Sequence, residues 1–280
     1  MRHDPIFVMG AGRAGVGLAR ALRAAGVEVA GLHGRHEQGG ADQITVGALP
    51  SSLQRAAVVL VTVRDAQIED ALRELLSAGP APGSVVLHAS GSVDPPMLEA
   101  VREAGHPAGT FHPLLPLADP SLAATALRGA YIGIDGDEAA RSVSKALATA
   151  LGARTLEIPT GEKARYHAAA VIASNFPAVL LRLAERVLAD AGVPSADARG
   201  AARSLLRVAA ANLESGDAAR ILTGPIVRGD ALTVRSHVNA LASDPEVLAV
   251  YRALSLAALE LAREGGTSAA ELAAVRAALD

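Results

Sequence analysis

The feature that most constrains this chain is a glycine-rich turn near its N-terminus, between a short apolar run and an amphipathic helix. The apolar run Ile6–Met9 predicts a strand and residues 14–25 predict a helix; the turn that follows the strand and continues into the start of the helix consists of Gly10, Ala11, Gly12, Arg13, Ala14 and Gly15. In such a unit the first glycine permits the tight turn, the second lets the backbone approach a pyrophosphate, and the third lets the helix pack on the strand. The order strand, turn, helix therefore predicts a dinucleotide-binding loop, the alternative being a glycine turn in an α/β protein that binds no nucleotide.

The end of the second predicted strand bears on which nucleotide is bound. An NAD site of this type usually has Asp or Glu about 20 residues after the glycines, where it binds the ribose hydroxyls. Here that segment contains no carboxylate and instead carries Arg35, with His33 or His36 beside it. A guanidinium suits a 2′-phosphate, and Arg13 in the turn could add to it. The segment favours NADP over NAD unless Arg35 is an ordinary surface residue.

Two regions of different character follow one another along the chain. Up to residue 158, β-branched runs alternate with helical segments at 14–25, 66–77 and 138–151, as expected of parallel βαβ units. The predicted strands are 6–9, 27–32, 43–46, 57–63, 84–88, 109–111, 131–134 and 154–158. The remainder predicts helices only. We therefore expect an α/β protein with an N-terminal doubly wound Rossmann sheet over 1–158 and an all-α domain over 159–280.

Capping residues and glycines divide the helical region. Thr160 and Ser195 can begin helices over 161–191 and 195–215. Two later starts have the spacing of a capping box, the first from Ser243 to Glu246 and the second from Ser268 to Glu271.

Composition excludes several functions. The chain has 280 residues, 2% aromatic content, no Trp and a formal net charge of −3, so neither a base-stacking surface nor a basic field for nucleic acid is present. With no cysteine there is no disulfide or thiolate metal site, and His33 with His36 lacks a third ligand, so no metal is expected. The first residues lack the apolar stretch of a signal peptide, and charged residues interrupt the longest helix, so we expect a cytoplasmic protein without a membrane span.

Six segments together resemble a known group of proteins: 10–15, 61–65, 88–91, 111–114, 163–175 and 222–230. The chain resembles Rossmann-like oxidoreductases that have a helical C-terminal domain of unknown function, within the 6-phosphogluconate dehydrogenase-like superfamily. Its relatives there include β-hydroxyacid dehydrogenases, ketopantoate reductase, pyrroline-5-carboxylate reductase and prephenate dehydrogenase. The resemblance implies NADP, a homodimer formed by the helical domain, and hydride transfer near a carboxylate; it also places Thr62 and Val63 at the cofactor.

One stripe of the first helix after the sheet carries candidate catalytic residues. At 100° per residue, Lys163, His167 and Ser174 project from one side of that helix, with Asn175 further round. Either a lysine or a histidine can serve as a proton donor to a carbonyl or imine. In β-hydroxyacid enzymes an asparagine follows the lysine by four residues, whereas here His167 has that position. Which of Lys163 and His167 gives the proton stays open, and both could instead have structural roles.

Other candidate residues lie in turns. Ser90 and His112 follow predicted strands at the edge where open α/β sheets bind ligands, although both are also ordinary turn residues. The irregular stretch 223–230 resembles a loop of pyrroline-5-carboxylate reductase, and we expect Thr223, Arg228 and Asp230 to bind substrate. A simple helix connector with an Arg228–Asp230 pair is the alternative.

These observations predict an NADP(H)-dependent oxidoreductase acting on a small carbonyl, hydroxy or imine compound that bears a carboxylate. Two other functions stay open: a non-catalytic protein that senses NADP, and an oxidoreductase that couples NADP to a deazaflavin. Turnover distinguishes the first, and the absorbance of the purified protein distinguishes the second.

Overall fold

A single sheet organises the first part of the chain in the computed structural model, which describes residues 4–36, 42–92, 98–214, 216 and 218–280. Its strands are β1 (Ile6–Met9), β2 (Val29–His33), β3 (Ile44–Thr45), β4 (Val58–Val61), β5 (Val85–His88), β6 (Ala108–Pro113), β7 (Tyr131–Gly136) and β8 (Arg154–Glu157). All eight predicted strands are present, with ends that differ from the predicted ones by a few residues.

The strand order creates a crevice beside β1. The order is β3-β2-β1-β4-β5-β6-β7-β8. Strands β1 to β6 are parallel, β7 is antiparallel to β6, and β8 is parallel to β7. The chain reverses its direction of winding between β1 and β4, and open α/β sheets bind ligands at such a switch point. This is where the glycine turn lies.

Helices cover both faces of the sheet, as the doubly wound prediction requires. They are α1 (Arg13–Ala24), α2 (Ile68–Ser77), α3 (Glu99–Glu103), α4 (Ala123–Ala126) and α5 (Glu138–Ala150), and α6 (Lys163–Ser174) follows β8. Because successive strand residues point to opposite faces, Ile6 and Val8 belong to the core beneath α1 and α5. Phe7 and Met9 belong to the core beneath α2. Each face thus has its own apolar core.

The sheet-containing unit extends further than the predicted boundary at residue 158. By its contacts the chain divides into a unit over Met1–Phe176 and a unit over Pro177–Asp280. Helix α6 belongs to the first unit because its first residue, Lys163, is 1% exposed and forms an ion pair with Asp135 of β7. A helix anchored to the sheet by a buried charge cannot be separated from it.

Helices are the regular elements of the second unit among the residues that are described. Its helices are α7 (Phe176–Asp190), α8 (Ser195–Glu214), α9 (Ala218–Ile221), α10 (Ala231–Leu241), α11 (Pro245–Glu264) and α12 (Ala269–Leu279). Val234, Leu259 and Val275 lie in its apolar core. The helix predicted over 161–191 is two helices that meet at Asn175, because Pro177 cannot donate the backbone hydrogen bond that a continuous helix needs.

The two predicted capping boxes have different outcomes. Ser268 and Glu271 form the complete box at the start of α12. The box predicted from Ser243 is wrong, because Asp244 caps α11 instead and accepts a hydrogen bond from the Val247 N–H at 3.1 Å.

One helical stretch is apolar and uncovered. Lys163–Asp190 is long and apolar enough to cross a membrane by length and composition alone, with a mean hydropathy of 1.4 in its most apolar window and none of that window buried. One stretch of this kind is weak evidence for a membrane span, because amphipathic helices that pack against another protein have the same composition.

Candidate functional site

The glycine turn has the shape of a phosphate-binding loop. Gly10 has a φ of +120°, and a Cβ there would lie 2.7 Å from the carbonyl carbon of Thr62. A Cβ on Gly15 would collide with the carbonyl oxygen of Gly10. The loop is held from two sides, since the Gly10 N–H donates to the His33 carbonyl at 2.8 Å and the Thr62 hydroxyl donates to the Gly10 carbonyl at 2.7 Å. Both glycines are therefore required by the fold of the loop.

Gly12 differs from these two because the space around it is open. A Cβ on Gly12 would meet no atom within 4 Å. This residue begins α1 without a side-chain cap, and the first turn of α1 contains no acidic residue. The N–H groups of that turn and the positive end of the helix dipole thus face a space that a ligand can enter. The backbone here fits a pyrophosphate.

A cavity of about 530 Å³ opens from this loop. Most of the residues predicted to bind the cofactor line it, namely Gly10, Ala11, Gly12, His33, Arg35, Thr62 and Val63. Arg13, Ala14 and Gly15 belong to the start of α1 but are not among its lining residues. The cavity also includes His36, Arg64, Gln67, Asp70 and Glu74, of which sequence reasoning identified only His36.

Two of the predicted cofactor residues have supporting roles. Thr62 is 8% exposed, and its hydroxyl bonds to the glycine loop. His33 is buried, its Nδ1 lies 3.0 Å from the Thr45 hydroxyl, and burial lowers its pKa. His33 is therefore neutral at neutral pH and does not supply the positive charge expected beside Arg35. That charge comes from Arg35 and from a residue that the sequence did not indicate.

The second positive charge is Arg64, which follows β4. Arg35 Nη1 and Arg64 Nη2 lie 2.8 Å and 2.9 Å from the amide oxygen of Gln67, in the amide orientation that satisfies both. All three side chains line the cavity.

A chain of polar groups is buried further along the same sheet. The Lys163 ammonium donates to the Thr110 hydroxyl at 2.5 Å and forms an ion pair with Asp135 at 3.0 Å. On the other side of Thr110, its Oγ1 lies 3.1 Å from His88 Nε2. None of these four residues is more than 7% exposed. Sequence reasoning missed Thr110 and Asp135, although an acid and a hydroxyl inside apolar strands are themselves unusual.

His88 is neutral, and its tautomer follows from its neighbours. The Ser90 N–H donates to His88 Nδ1 at 3.3 Å, so Nδ1 is an acceptor and Nε2 carries the proton that is directed at Thr110. Burial, together with the positive charge of Lys163, lowers the pKa of His88 to about 3.

A more accessible pair lies at the end of β6. His112 Nδ1 and the Tyr166 hydroxyl are 2.8 Å apart, and the ring of His167 lies 6.1 Å from the ring of His112. Burial, followed by the nearby His167, lowers the pKa of His112 to about 4, while burial raises the pKa of Tyr166 to about 12. Both members of the pair are uncharged at neutral pH. All three side chains are partly exposed.

Two glycines make room for this pair. A Cβ on Gly91 would lie 2.7 Å from His112 Cε1, and a Cβ on Gly133 would collide with the Tyr166 hydroxyl. The positions of both rings therefore depend on the absence of a side chain at one position after β5 and at one position within β7.

The predicted Ser90 belongs to a third polar group at this edge. Its Oγ accepts a hydrogen bond from the Ser92 N–H at 3.1 Å, and the Ser92 hydroxyl donates to Asp65 after β4. Ser90 is 6% exposed, so it orders the turn after β5.

The other predicted site residues are not all brought together. Ser174 and Asn175 are exposed at the end of α6, where the Ser174 hydroxyl bonds to the Ala170 carbonyl and is also 2.8 Å from Asn175 Oδ1. They are about 10 Å along the helix from His167. Thr223, Arg228 and Asp230 are in the second unit. There Asp230 caps α10, accepting from the Thr233 N–H at 3.0 Å, and does not pair with Arg228.

The strand order and the position of the glycine loop together define the fold class of the first unit. A parallel sheet in the order 3-2-1-4-5-6, with a glycine loop between β1 and α1 at the switch point, is a Rossmann-type dinucleotide-binding fold. In this chain a helical region follows that fold.

Comparison with known proteins gives the same description. Residues 130–258 match the family model of a domain of unknown function, DUF2520. A protein from Thermotoga maritima has 23% identity and a TM-score of 0.73, over 92% of this chain and 99% of that one. A proposed NADP oxidoreductase from Bacteroides fragilis has 21% identity and a TM-score of 0.72, over the same shares of the two chains.

A more distant structure carries a ligand. Plasmodium falciparum pyrroline carboxylate reductase with NADP bound has 11% identity and a TM-score of 0.63, over 98% of this chain and 99% of that one. No curated protein matches this chain. The predicted resemblance is therefore confirmed for the fold and for the helical domain of unknown function.

Proposed function

We propose that this protein is an NADP(H)-dependent oxidoreductase that transfers a hydride to or from a small carbonyl, hydroxy or imine compound bearing a carboxylate. The observation that carries the proposal is the open space at Gly12, between the N-terminus of α1 and a cavity lined by Arg35. Similarity in fold to a protein named as an NADP oxidoreductase, and to a pyrroline carboxylate reductase with NADP bound, supports it.

The nucleotide would bind in the first unit, at the glycine loop and the cavity beside it. The Gly10–Gly12 backbone and the first turn of α1 would hold the pyrophosphate, and Arg35 would hold a 2′-phosphate. When bound, the nicotinamide supplies or accepts the hydride. Thr62 and Gly15 act on the nucleotide only through the loop that they fix.

The proton that accompanies the hydride needs a donor near the substrate. Lys163 is 1% exposed and held by Asp135 and Thr110, so we propose that it positions these groups and does not meet the substrate. His167 is partly exposed, its ring lies 6.1 Å from the ring of His112, and an imidazole can act as a general acid. We assign His167 as the donor, with the neutral His112–Tyr166 pair holding the substrate oxygen or nitrogen by hydrogen bonds.

The proposed substrate class is defined by a carboxylate, which needs a group on the protein that binds an anion. Arg228 and Thr223 are exposed in an irregular stretch of the second unit, where a guanidinium suits an anion. Ser174 and Asn175 expose polar groups at the end of α6. A pyrroline carboxylate is a cyclic imine with a carboxylate, and the reductase of that name shares this fold.

The nucleotide part of the proposal is tested by titration with NADPH and NADH. We expect tighter binding of NADPH, and we expect Gly12→Ala to fold normally but to lose nucleotide binding, because its methyl group would occupy the space meant for the pyrophosphate. Gly200→Ala is the matched control, since Gly200 also has open space around it but lies in α8 of the second unit. Absence of binding of either dinucleotide to the wild type at millimolar concentration would overturn the proposal.

The catalytic part is tested with a panel of keto acids and cyclic imines. His167→Gln should lower the turnover number by about 10²- to 10⁴-fold, the usual contribution of a general acid, while NADPH affinity is unchanged. Unchanged turnover in this variant would remove His167 from the mechanism. Tight nucleotide binding without turnover of any compound would favour the sensor.

We also propose that two copies associate through helices α7 and α8. Helix α7 has no buried residue, and α8 buries only Ala198 and Ala202. Exposed apolar side chains are concentrated there, including Val179 at 52% and Leu205 at 71%. Charged residues at Arg182, Glu185 and Arg186 interrupt α7, which suits a protein partner better than lipid. A dimer in light scattering without detergent, converted to a monomer by Leu205→Glu, is the expected result; a monomeric wild type would refute it.

A further inference from the structure

The least expected feature of the nucleotide cavity is the meeting of two arginines at one neutral side chain. Arg35 follows β2 and Arg64 follows β4, the two strands that flank β1. Arg35 Nη1 and Arg64 Nη2 lie 2.8 Å and 2.9 Å from the same amide oxygen of Gln67. We call these three side chains the arginine fork.

Because both guanidinium groups are positively charged and contact the same oxygen atom, they repel each other unless an anion lies between them. Among the described residues neither Arg35 nor Arg64 forms an ion pair, and both are exposed. The amide oxygen of Gln67 is an acceptor without charge, so it orients the two guanidinium groups but leaves their charge uncompensated. The positive charge of the fork is therefore not balanced by a counterion within the described part of the chain, and the cavity is open to an anion that could balance it.

The acidic residues of the cavity do not take this role in the structure. Asp70 and Glu74 both line it. Asp70 accepts a hydrogen bond from Arg73 at 2.8 Å, one helical turn along α2. Neither carboxylate forms an ion pair with Arg35 or Arg64 in the part of the chain that is described.

A phosphate monoester fits the fork. It carries a charge close to −2 at neutral pH and three acceptor oxygens, enough for two guanidinium groups. Charge-assisted bonds of this kind are the strong ones, and a fork that is already oriented loses less entropy on binding. A diester or an uncharged ribose hydroxyl cannot neutralise both arginines.

We propose that Arg64, oriented by Gln67 beside Arg35, is a second ligand of the ribose 2′-phosphate, and that the arginine fork sets the preference for NADP(H) over NAD(H). This inference rests on the proposed function, because it concerns the same nucleotide cavity. It assigns a specificity-determining role to a residue after β4, where the nucleotide-binding fingerprint has none.

The alternative roles of Arg64 make different predictions. If Arg64 bound the pyrophosphate or stacked on the adenine, its loss would weaken every adenine nucleotide to the same extent. If it were a solvated surface residue, its loss would weaken none. Only contact with the 2′-phosphate gives a loss confined to nucleotides that carry that group.

The experiment is calorimetric titration of the full chain with adenosine 2′,5′-bisphosphate and with AMP, which differ only at the 2′-position. Arg64→Gln should weaken binding of the bisphosphate by about 10- to 100-fold, the usual effect of losing one charge-assisted hydrogen bond, and change binding of AMP by less than about twofold. Arg55→Gln is the matched control: it removes the same charge from an exposed residue just before β4 that does not line the cavity. It should change neither ligand.

A second variant tests the fork as a unit. Gln67→Glu keeps the size of the side chain but puts a carboxylate where the phosphate charge should be attracted. We expect the same selective loss for adenosine 2′,5′-bisphosphate, with the wild-type melting temperature retained. An equal loss of both ligands, or no loss, in Arg64→Gln would overturn the role of the fork. A wild type that binds NADPH but shows no preference over NADH would overturn it too, whereas a wild type that binds neither would overturn the proposed function itself.

Discussion

Removing the charge of Lys163 gives the sharpest test of how the helix α6 is joined to the sheet. Lys163 Nζ lies 3.0 Å from Asp135 Oδ2, and the two residues are 1% and 7% exposed. The other carboxylate oxygen of Asp135 is buried and has no hydrogen-bond partner among the described residues. In Lys163→Met the carboxylate would therefore remain in the protein interior without its counterion.

The size of the effect follows from this burial. Breaking a buried ion pair by removing one partner costs about 3 to 5 kcal/mol, because an uncompensated charge stays behind. For a domain of this size that corresponds to a fall in melting temperature of roughly 6 to 20 °C. Urea unfolding followed by circular dichroism measures the free energy directly, and NADPH titration at low temperature shows whether the nucleotide cavity persists.

A double variant separates the charge from the shape. Lys163→Met with Asp135→Asn removes both charges and leaves a neutral buried amide, whose unsatisfied groups cost about 1 to 3 kcal/mol. We expect the double variant to be more stable than Lys163→Met alone by about 2 kcal/mol, the difference between these two costs. A loss below about 1 kcal/mol in the single variant, or a double variant as unstable as the single one, would refute the account of a buried, stabilising pair.

Three further predictions concern the loop and the edge of the sheet. Thr62→Val removes the hydroxyl that donates to the Gly10 carbonyl, so it should cost about 1 kcal/mol in urea unfolding and weaken NADPH binding, whereas Thr62→Ser should retain both. Gly91→Ala would push the ring of His112 away from Tyr166, so turnover should fall at unchanged NADPH affinity; equal turnover would show that this ring position is dispensable. The pKa values of His88 and His112 in the folded state are about 3 and about 4, below the 6.5 of free histidine, so the unfolded chain takes up protons that the folded chain does not. Stability should be level above pH 6.5 and fall as the pH falls from about 6.5 to about 4, less steeply in His112→Gln; a flat profile there would contradict the neutral histidines.

The fold could be predicted because its signals are local. The glycine turn, the β-branched runs and the capping residues each act within a few residues of themselves, and the strands and most helices were found from them. The signal for the boundary between the two units is not local in the sequence. Lys163 looks like an exposed residue in the first turn of a helix, and only the position of Asp135 on a strand far away in sequence shows that α6 is part of the first unit.

The site could be predicted only in part, for the same reason. The loop from Gly10 to Gly15 needs no distant partner, and the role assigned to Arg35 followed from an absent acid. The stripe of Lys163, His167 and Ser174 does not include Tyr166, which lies about 60° from Lys163 around α6 on the side away from His167. The fork at Gln67 could not be found, because Arg35 and Arg64 meet only after β2 and β4 have been placed on either side of β1.

The choice between an enzyme and a nucleotide sensor turns on what the sheet edge contains besides the phosphate loop. A sensor needs the loop and the cavity, but it gains nothing from polar groups kept in a partly buried place, where each costs free energy unless it is paired. His112 and Tyr166 are such groups: they pair with each other, are uncharged at neutral pH, and occupy space that exists only because residues 91 and 133 are glycine. A neutral donor and acceptor at a ligand-binding edge suit a substrate whose oxygen or nitrogen changes its proton during reaction. If Tyr166→Phe and His112→Gln both retained full turnover, this reasoning would fail, and the pair would be a structural hydrogen bond.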